Sequence, residues 1–312
     1  MKILITGGAG YVGTLLCETL IKLGHELIVI DTCWFGNFLP KNKKLKLIKK
    51  NILDIDENIG KGVQTIIHLA SIASDPASEL NPKYTWEISC LGTKKLCEIA
   101  KKNKIRKFIY ASSGSVYGIK KEKKVTEDLS LVPISDYNKT KMIAENVIQS
   151  YKKYFKYYLI RPGTVYGYSK RMRLDLMINI LCFQALTKKE ITILGGNQLR
   201  PYIHIKDMVN VYLHFLKRNL KSGAYNSSAG NLSVKKTAQK IKERIDNINV
   251  VKKKSNDPRS YRLSSEKLLK TGFKFSVTLK QGVDEIIDAF LNKKIKKTKE
   301  SFSVNWVKKQ RF

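Results

Sequence analysis

Several absences narrow the field. The chain has five cysteines, an odd number, at positions 17, 33, 90, 97 and 182. No CxxC pair is present, which argues against a disulfide framework and against a zinc site. Its four histidines, His25, His68, His204 and His214, are isolated in sequence, so no metal site is expected. Apolar runs are short; Ile66-Ile67-His68-Leu69-Ala70 is typical, and none approaches the ~18 residues that span a bilayer. Met1-Lys2 leads through three apolar residues straight to Gly7-Gly8, which is no signal peptide, so a cytoplasmic protein is expected. There is no internal repeat and no Pro/Gly/Ser-rich linker. Acidic residues are scarce, 26 against 59 Lys and Arg, for a net charge of +33. Only ten of the basic residues are arginines. The lysines are scattered, with denser runs at 41–50, 120–124, 252–254 and 293–299. This pattern reads as a solvated surface without specific nucleic-acid recognition. A field of this sign would still gather anionic substrates.

What remains is a chain of 312 residues, 43% hydrophobic and 9% aromatic, long enough to bury a large core. Its first half alternates short β-branched runs with amphipathic stretches. Strands are expected at Lys2–Thr6, Glu26–Ile30, Leu45–Ile48, Thr65–Leu69, Lys107–Ala111 and Tyr157–Ile160, with helices such as Tyr11–Leu23 and Tyr84–Lys102 between them. Nearly all-apolar strands alternating with helices predict an α/β fold, a doubly wound parallel sheet. Beyond residue 165 the pattern turns irregular. Helices are expected at Asp175–Leu186, Ser233–Ile245 and Leu279–Leu291, with short strands such as Ile191–Leu194, which predicts a smaller mixed α/β unit sharing one cleft with the first.

The first strand runs into Gly7-Gly8-Ala9-Gly10-Tyr11-Val12-Gly13. Gly8, Gly10 and Gly13 satisfy GxGxxG; Gly7, Gly10 and Gly13 satisfy GxxGxxG. Either spacing serves a tight turn that lets backbone approach a pyrophosphate, with the N–H groups of a helix beginning at Tyr11 and Val12 completing the site. Asp31 ends the second strand. Its carboxylate can accept both hydroxyls of a ribose and would repel a 2′-phosphate, which favours NAD over NADP. Asp54-Ile55 after the third strand either borders the adenine or starts a helix. Trp34-Phe35 either covers the adenine or packs as a loop. Leu69-Ala70-Ser71 ends the fourth strand with small residues past which a cofactor can run.

After the fifth strand come Ser112-Ser113-Gly114-Ser115-Val116-Tyr117-Gly118 and then Tyr137-Asn138-Lys139-Thr140-Lys141. Tyr137 and Lys141, at i and i+4, share a helix face. A free phenol has a pKa of ~10, too high for a base at neutral pH. A neighbouring ammonium and a positive nicotinamide would lower it. With a serine holding the same hydroxyl, such a set removes a proton from a carbinol as hydride leaves.

Together these motifs resemble the extended short-chain dehydrogenase/reductase family, whose members include nucleotide-sugar epimerases, dehydratases, decarboxylases and reductases. The resemblance covers nearly the whole chain. It implies a Rossmann-type NAD domain over 1–165, with 197–220 packing back on it. It implies a substrate-binding unit from 166–196 and 221–292, followed by a basic tail, 293–312, left open between packing back and staying mobile. Aligning Val116-Tyr117-Gly118 makes Ser113 the catalytic hydroxyl beside Tyr137 and Lys141, with Ser112 and Ser115 weaker candidates; Ser115 would also touch substrate. Arg161-Pro162-Gly163-Thr164 resembles the segment at the nicotinamide, which assigns Pro162 and Thr164 to cofactor. Arg200 and one of Arg259 and Arg262 would hold the substrate diphosphate. Arg171-Met172-Arg173 through Asn179 resembles a subgroup acting on sugar nucleotides, in which Asn179 would contact that diphosphate. Family dehydratases carry an acidic pair just after the catalytic hydroxyl; here Gly114 and Ser115 stand there, which disfavours 4,6-dehydration. Ser89 replaces a family Asn and forgoes one local hydrogen bond. His68 is expected to be a structural hydrogen-bonder. The resemblance implies an NAD-dependent nucleoside-diphosphate-sugar 4-epimerase, with a 4-oxidase or 4-keto-sugar reductase as the alternative. An NAD-binding regulator or nucleic-acid binder is the contrasting class. A homodimer through Tyr84–Lys102 and Asp136–Tyr154 is also implied.

Overall fold

A computed structural model describes residues 1–254 and 260–309. Six strands come first in the chain: β1 (Lys2–Thr6), β2 (Glu26–Asp31), β3 (Leu45–Lys49), β4 (Thr65–His68), β5 (Lys107–Ala111) and β6 (Lys156–Pro162). The second half adds β7 (Thr164–Tyr166), β8 (Glu190–Leu194), β9 (Leu199–His204), β10 (Gly223–Ser227), β11 (Gly230–Ser233) and β12 (Asn249–Lys253). One sheet has seven strands in the order β10-β6-β5-β4-β1-β2-β3. Every neighbouring pair in it is parallel. Smaller sheets join β11-β9-β7 and β12-β8.

The strand periodicity sorts the core. On β1, Ile3 and Ile5 pack with Leu16, Cys17 and Leu20 of the Tyr11–Lys22 helix and with Met208 and Phe215 of the Ile205–Lys217 helix. Leu4 points to the other face, with Leu96 and Ile99 of Gly92–Lys102 and Ala144 and Ile148 of Asp136–Ser150. All three β1 residues are fully buried. Covering both faces is what lets a parallel sheet consist of apolar runs. The chain order reverses at β1, with β2 on one side and β4 on the other. This opens a crevice at the carboxyl ends of the strands.

A second core lies beyond this sheet. Ile191 and Ile193 of β8 pack there with Ile178, Leu181 and Cys182 of Met177–Lys188, Ala238 and Ile241 of Val234–Lys242, and Val283 and Ile286 of Leu279–Leu291.

Two local expectations change, and the placement of the tail, which the sequence leaves open, is resolved as far as residue 309. Gly223–Ser227 pairs with β6 and extends the large sheet, so that stretch does not belong with the rest of 221–292. The stretch expected as one helix over Tyr84–Lys102 is helical at Pro82–Trp86, passes through a π turn at Glu87–Leu91, and resumes at Gly92–Lys102. Buried Ser89 sits in that turn, and its hydroxyl finds no partner among the described residues. The tail, as far as residue 309, packs back. Ile295 and Val307 are buried, the Leu174 N–H donates to the Ser301 carbonyl at 2.8 Å, and the Trp306 indole N–H donates to the Trp34 carbonyl. Among the described residues, no helix is long and apolar enough to cross a membrane and no His/Cys/Asp/Glu cluster could hold a metal ion.

Candidate active site

A cavity of ≈ 900 Å³ runs along the carboxyl ends of the large sheet's strands and is bounded on its far side by the second unit. One end is the glycine turn. Gly7 has φ +72°, and a Cβ there would lie 2.6 Å from the Ala70 nitrogen, so only glycine lets this turn press against the end of β4. A Cβ on Gly13 would lie 2.4 Å from the Gly7 carbonyl oxygen, so the helix packs directly on the turn. Gly8 packs instead under Val29, with room for no Cβ. The working set is thus Gly7, Gly10 and Gly13, and these line the cavity with Tyr11 and Val12.

Asp31 ends β2 beside this turn. Its carboxylate accepts the Ala9 N–H at 2.9 Å and the Cys33 N–H at 2.8 Å. Burial raises its pKa against those two backbone bonds. Trp34 and Phe35 line the same end, with Trp34 stacked on Tyr84 at 5.9 Å between ring centres. Leu69, Ala70 and Ser71 line the cavity as expected. Asp54 and Ile55 do not. Asp54 is exposed in a short 3-10 turn capped by Asn51, and Ile55 is buried in the core. Asn51 and Ile52, two to four residues earlier, face the cavity instead, because the turn begins sooner than the sequence suggests.

The Ser135 hydroxyl accepts the Asn138 N–H and starts the Asp136–Ser150 helix, which sets Tyr137 in its first turn. The Tyr137 phenol lies beside Ser113, whose hydroxyl favours its ionised form. Ser113 Oγ lies 2.6 Å from Ser115 Oγ, and Ser115 donates to the Asn138 side-chain carbonyl. The Asn138 amide in turn donates to Asp75 at 3.0 Å. Ser113 therefore has a fixed place beside Tyr137. Ser112 also lines the cavity, but its hydroxyl is used in donating to Glu145 in the core. Lys141 is buried, and its ammonium donates to the Ala111 carbonyl at 2.7 Å. Burial pushes Lys141 down to about 7, against the attraction of Glu145. Tyr137 does not show the lowered phenol pKa expected from its spacing to Lys141. Burial, with Asp75 nearby, pushes it up to about 12 against the Ser113 hydrogen bond and Arg173. Beneath the site, Glu145 takes two hydrogen bonds from Arg161, at 2.9 and 2.6 Å. Arg161 also donates to Tyr117 at 2.8 Å. His68 is held between Thr6 and Thr93 and pushed down to about 3 by burial, a neutral structural group as expected.

At the other end, Pro162, Thr164 and Arg200 line the cavity. Arg262 does not; it is exposed, and Tyr261 faces inward in its place. Arg259 lies outside the described residues. Asn179 is fully buried away from the cavity. Its carbonyl accepts the Gly167 N–H at 3.0 Å, and its amide donates to the Tyr11 hydroxyl at 3.1 Å and the Arg173 carbonyl at 2.9 Å. With those groups taken, it positions Tyr11 and the Arg171–Arg173 segment rather than meeting a ligand. Sequence reasoning assigns no role to either arginine of the Arg171–Arg173 motif and singles out neither Asp75 nor the tail residues at the site. Arg171 and Arg173 both line the cavity, as do Ser303, Val304 and Val307 from the tail. Asp75 does so as well; its only sequence mark was its place in the loop after Ser71.

The turn, Asp31 and the buried guanidinium of Arg171, with two nitrogens unpartnered among the described residues, fit a dinucleotide with its dianionic diphosphate. The NAD dependent epimerase/dehydratase family model matches residues 3–227. The uncharacterized UDP-glucose epimerase YtcB of Bacillus subtilis is 37% identical over 229 residues, 67% of this chain and 70% of its own length. A UDP-glucose 4-epimerase of Lactobacillus helveticus is 27% identical over 77% of this chain and 82% of its own. A UDP-glucuronic acid 4-epimerase from Bacillus cereus, solved with UDP-glucuronic acid and NAD, superposes with a TM-score of 0.82 at 27% identity, covering 94% of this chain and 99% of that one. A UDP-glucuronic acid decarboxylase of Danio rerio, at 28% identity, and a dTDP-D-glucose 4,6-dehydratase of Dictyostelium discoideum, at 34%, are relatives too. This chain belongs to the NAD dependent epimerase/dehydratase family and is an NAD-dependent enzyme of the nucleotide-sugar type.

Proposed function

We propose that this enzyme is a nucleoside-diphosphate-sugar 4-epimerase working by transient oxidation at C4. The observation that carries this reading is the Ser113–Tyr137 pair on the cavity wall with Lys141 below, and Gly114 and Ser115 following Ser113. Tyr137 takes the proton of the sugar 4-OH, and Ser113 hydrogen-bonds the same oxygen. Protonated Lys141 together with the positive nicotinamide of bound NAD would bring the phenol down from the value of about 12 that it has without cofactor. Bound NAD supplies the hydride acceptor, and then donor, at that carbon. Tyr137 returns its proton to the oxygen once the sugar has presented its other face. No carboxylate follows Ser113 to take a C5 proton or protonate a departing C6 hydroxyl, which separates this site from a 4,6-dehydratase.

On this reading Gly7, Gly10, Gly13, Tyr11 and Val12 hold the cofactor diphosphate by backbone. Asp31 accepts from the ribose, and Leu69, Ala70, Ser71, Pro162 and Thr164 pass the cofactor toward Tyr137. Arg200 pairs with the substrate diphosphate, since a guanidinium fork matches phosphate oxygens. The large sheet carries the dinucleotide and the second core the sugar nucleotide. A homodimer through the Gly92–Lys102 and Asp136–Ser150 helices is supported by the exposed Leu91 and Tyr154 at their ends. Five unpaired thiols suit a reducing compartment, and we place the enzyme in the cytoplasm.

The test is to incubate the protein as purified, without added cofactor, with a panel of nucleotide sugars followed by NMR. A C4 stereoisomer formed without NADH build-up supports epimerisation. A keto sugar with stoichiometric NADH overturns it in favour of an oxidase.

A further inference from the structure

Arg171 is 4% exposed, on the segment between β7 and the Met177–Lys188 helix. Its guanidinium stacks on the Phe35 ring at 4.0 Å from the centre, and one terminal nitrogen, Nη2, donates to the Ser303 hydroxyl at 3.3 Å. The other two nitrogens, Nε and Nη1, have no acceptor among the described residues and are closed to water. The nearby carboxylates are engaged elsewhere. Asp175 is held by Arg173 through two bonds, at 2.9 and 3.0 Å, and also accepts the Ser303 N–H; Asp31 accepts two backbone N–H groups. Burial and the like charge of Arg173 push Arg171 down to about 9. A buried cation without a counter-ion is costly to the fold, and a ligand anion would remove that cost.

The surroundings say which anion. Arg171 lines the cavity next to Phe35, four residues beyond Asp31, and its charge is felt by Asp31 and by Tyr11 of the glycine-turn helix. All three belong to the end that fits the dinucleotide, whereas Arg200 stands on β9. We propose that Arg171, oriented by Ser303 of the C-terminal segment, is the side-chain site for the diphosphate of NAD. Nε–H and Nη1–H leave the planar guanidinium on different edges, so each can give one charge-assisted hydrogen bond to a phosphate oxygen. The helix N-terminus at Tyr11 supplies the backbone half of the same site. The C-terminal segment thereby becomes part of the cofactor site. This rests on the cofactor alone and holds whichever sugar is turned over.

The test strips the full chain of cofactor and titrates it calorimetrically with NAD, with adenosine, and with the nucleoside diphosphate that the wild type binds most tightly. Arg171→Met should weaken NAD by about ten- to hundredfold, the worth of charge-assisted hydrogen bonds. Adenosine and the nucleoside diphosphate should stay within twofold. Arg171→Lys should recover only part of the loss, and Ser303→Ala should lose several-fold. The cofactor-free melting temperature of Arg171→Met should equal or exceed that of the wild type, because an unpaired buried charge is gone. Unchanged NAD affinity overturns the proposal. So does a loss confined to the nucleoside diphosphate, which would give Arg171 to the substrate. A lowered cofactor-free melting temperature with all ligands weakened together would make Arg171 structural and overturn it as well.

Discussion

Tyr137 and Lys141 stand one helical turn apart, but the ammonium is spent on the Ala111 carbonyl and lies 5.7 Å from the centre of the Tyr137 ring. Burial and Asp75 raise the phenol's pKa, and Ser113 and Arg173, not Lys141, act to lower it.

Tyr137→Phe removes the proton acceptor and leaves the cavity wall intact. Turnover should fall by about 10²–10⁴, the usual worth of a positioned acid–base group. NAD retained on purification should be unchanged. Wild-type turnover in this variant, measured with any sugar that the enzyme converts, would contradict the mechanism.

Lys141 gives a pH signature in stability. Its folded pKa is pushed down to about 7 from an ordinary 10.5, so between those values the unfolded chain binds the extra proton. Stability contributed by this site therefore rises with pH across that window, and the burial penalty is felt in full below about pH 7. Cofactor-free Lys141→Met should gain stability over the wild type at pH 6, and the gain should shrink toward pH 10. Urea unfolding of both proteins across this range reads it directly.

Glu145 lies 1% exposed against Arg161 at 6%. Replacing it by Gln leaves Arg161 without a counter-ion and removes the one attraction that holds Lys141 charged. The unfolding free energy should drop by about 3–5 kcal/mol, the cost of breaking a buried pair from one side. A drop below 1 kcal/mol in denaturant titration would mean that water reaches the pair.

Asn179→Ala should cost about 1–3 kcal/mol of stability by orphaning the Gly167 N–H and the Arg173 carbonyl and by removing the donor to the Tyr11 hydroxyl oxygen. Were Asn179 a direct ligand for the diphosphate, KM for the sugar nucleotide would rise with stability unchanged. Melting curves and KM together decide between these roles.

Much of this was legible in the sequence, for identifiable reasons. Lys2–Thr6 and Lys107–Ala111 match their strands residue for residue, because buried parallel strands are short apolar runs with clear ends. The glycine turn, Asp31, Ser113, Tyr137 and Lys141 stand out in the sequence because each is a particular residue type at a fixed spacing, and the structure brings them to one cavity. Asp54 and Ile55 failed because three-residue turns have no period to anchor them. Asn179 and Arg262 failed because side-chain direction on an irregular segment is set by tertiary packing. Arg171 lies within a recognisable motif, but its orphaned N–H groups exist only once Phe35 and Ser303, 136 and 132 residues away in sequence, close around it. The tail left no periodic signal at all, since its placement depends on single contacts such as Trp306 to Trp34.

The most direct test of C4 oxidation is to run the reaction in D2O on whichever nucleotide sugar is converted, and to read every carbon of the product by NMR. The account predicts inversion at C4 with no solvent deuterium on any ring carbon, because the hydrogen travels as hydride and never meets water. Deuterium at C3 or C5, or loss of water or carbon dioxide from the sugar, would contradict it.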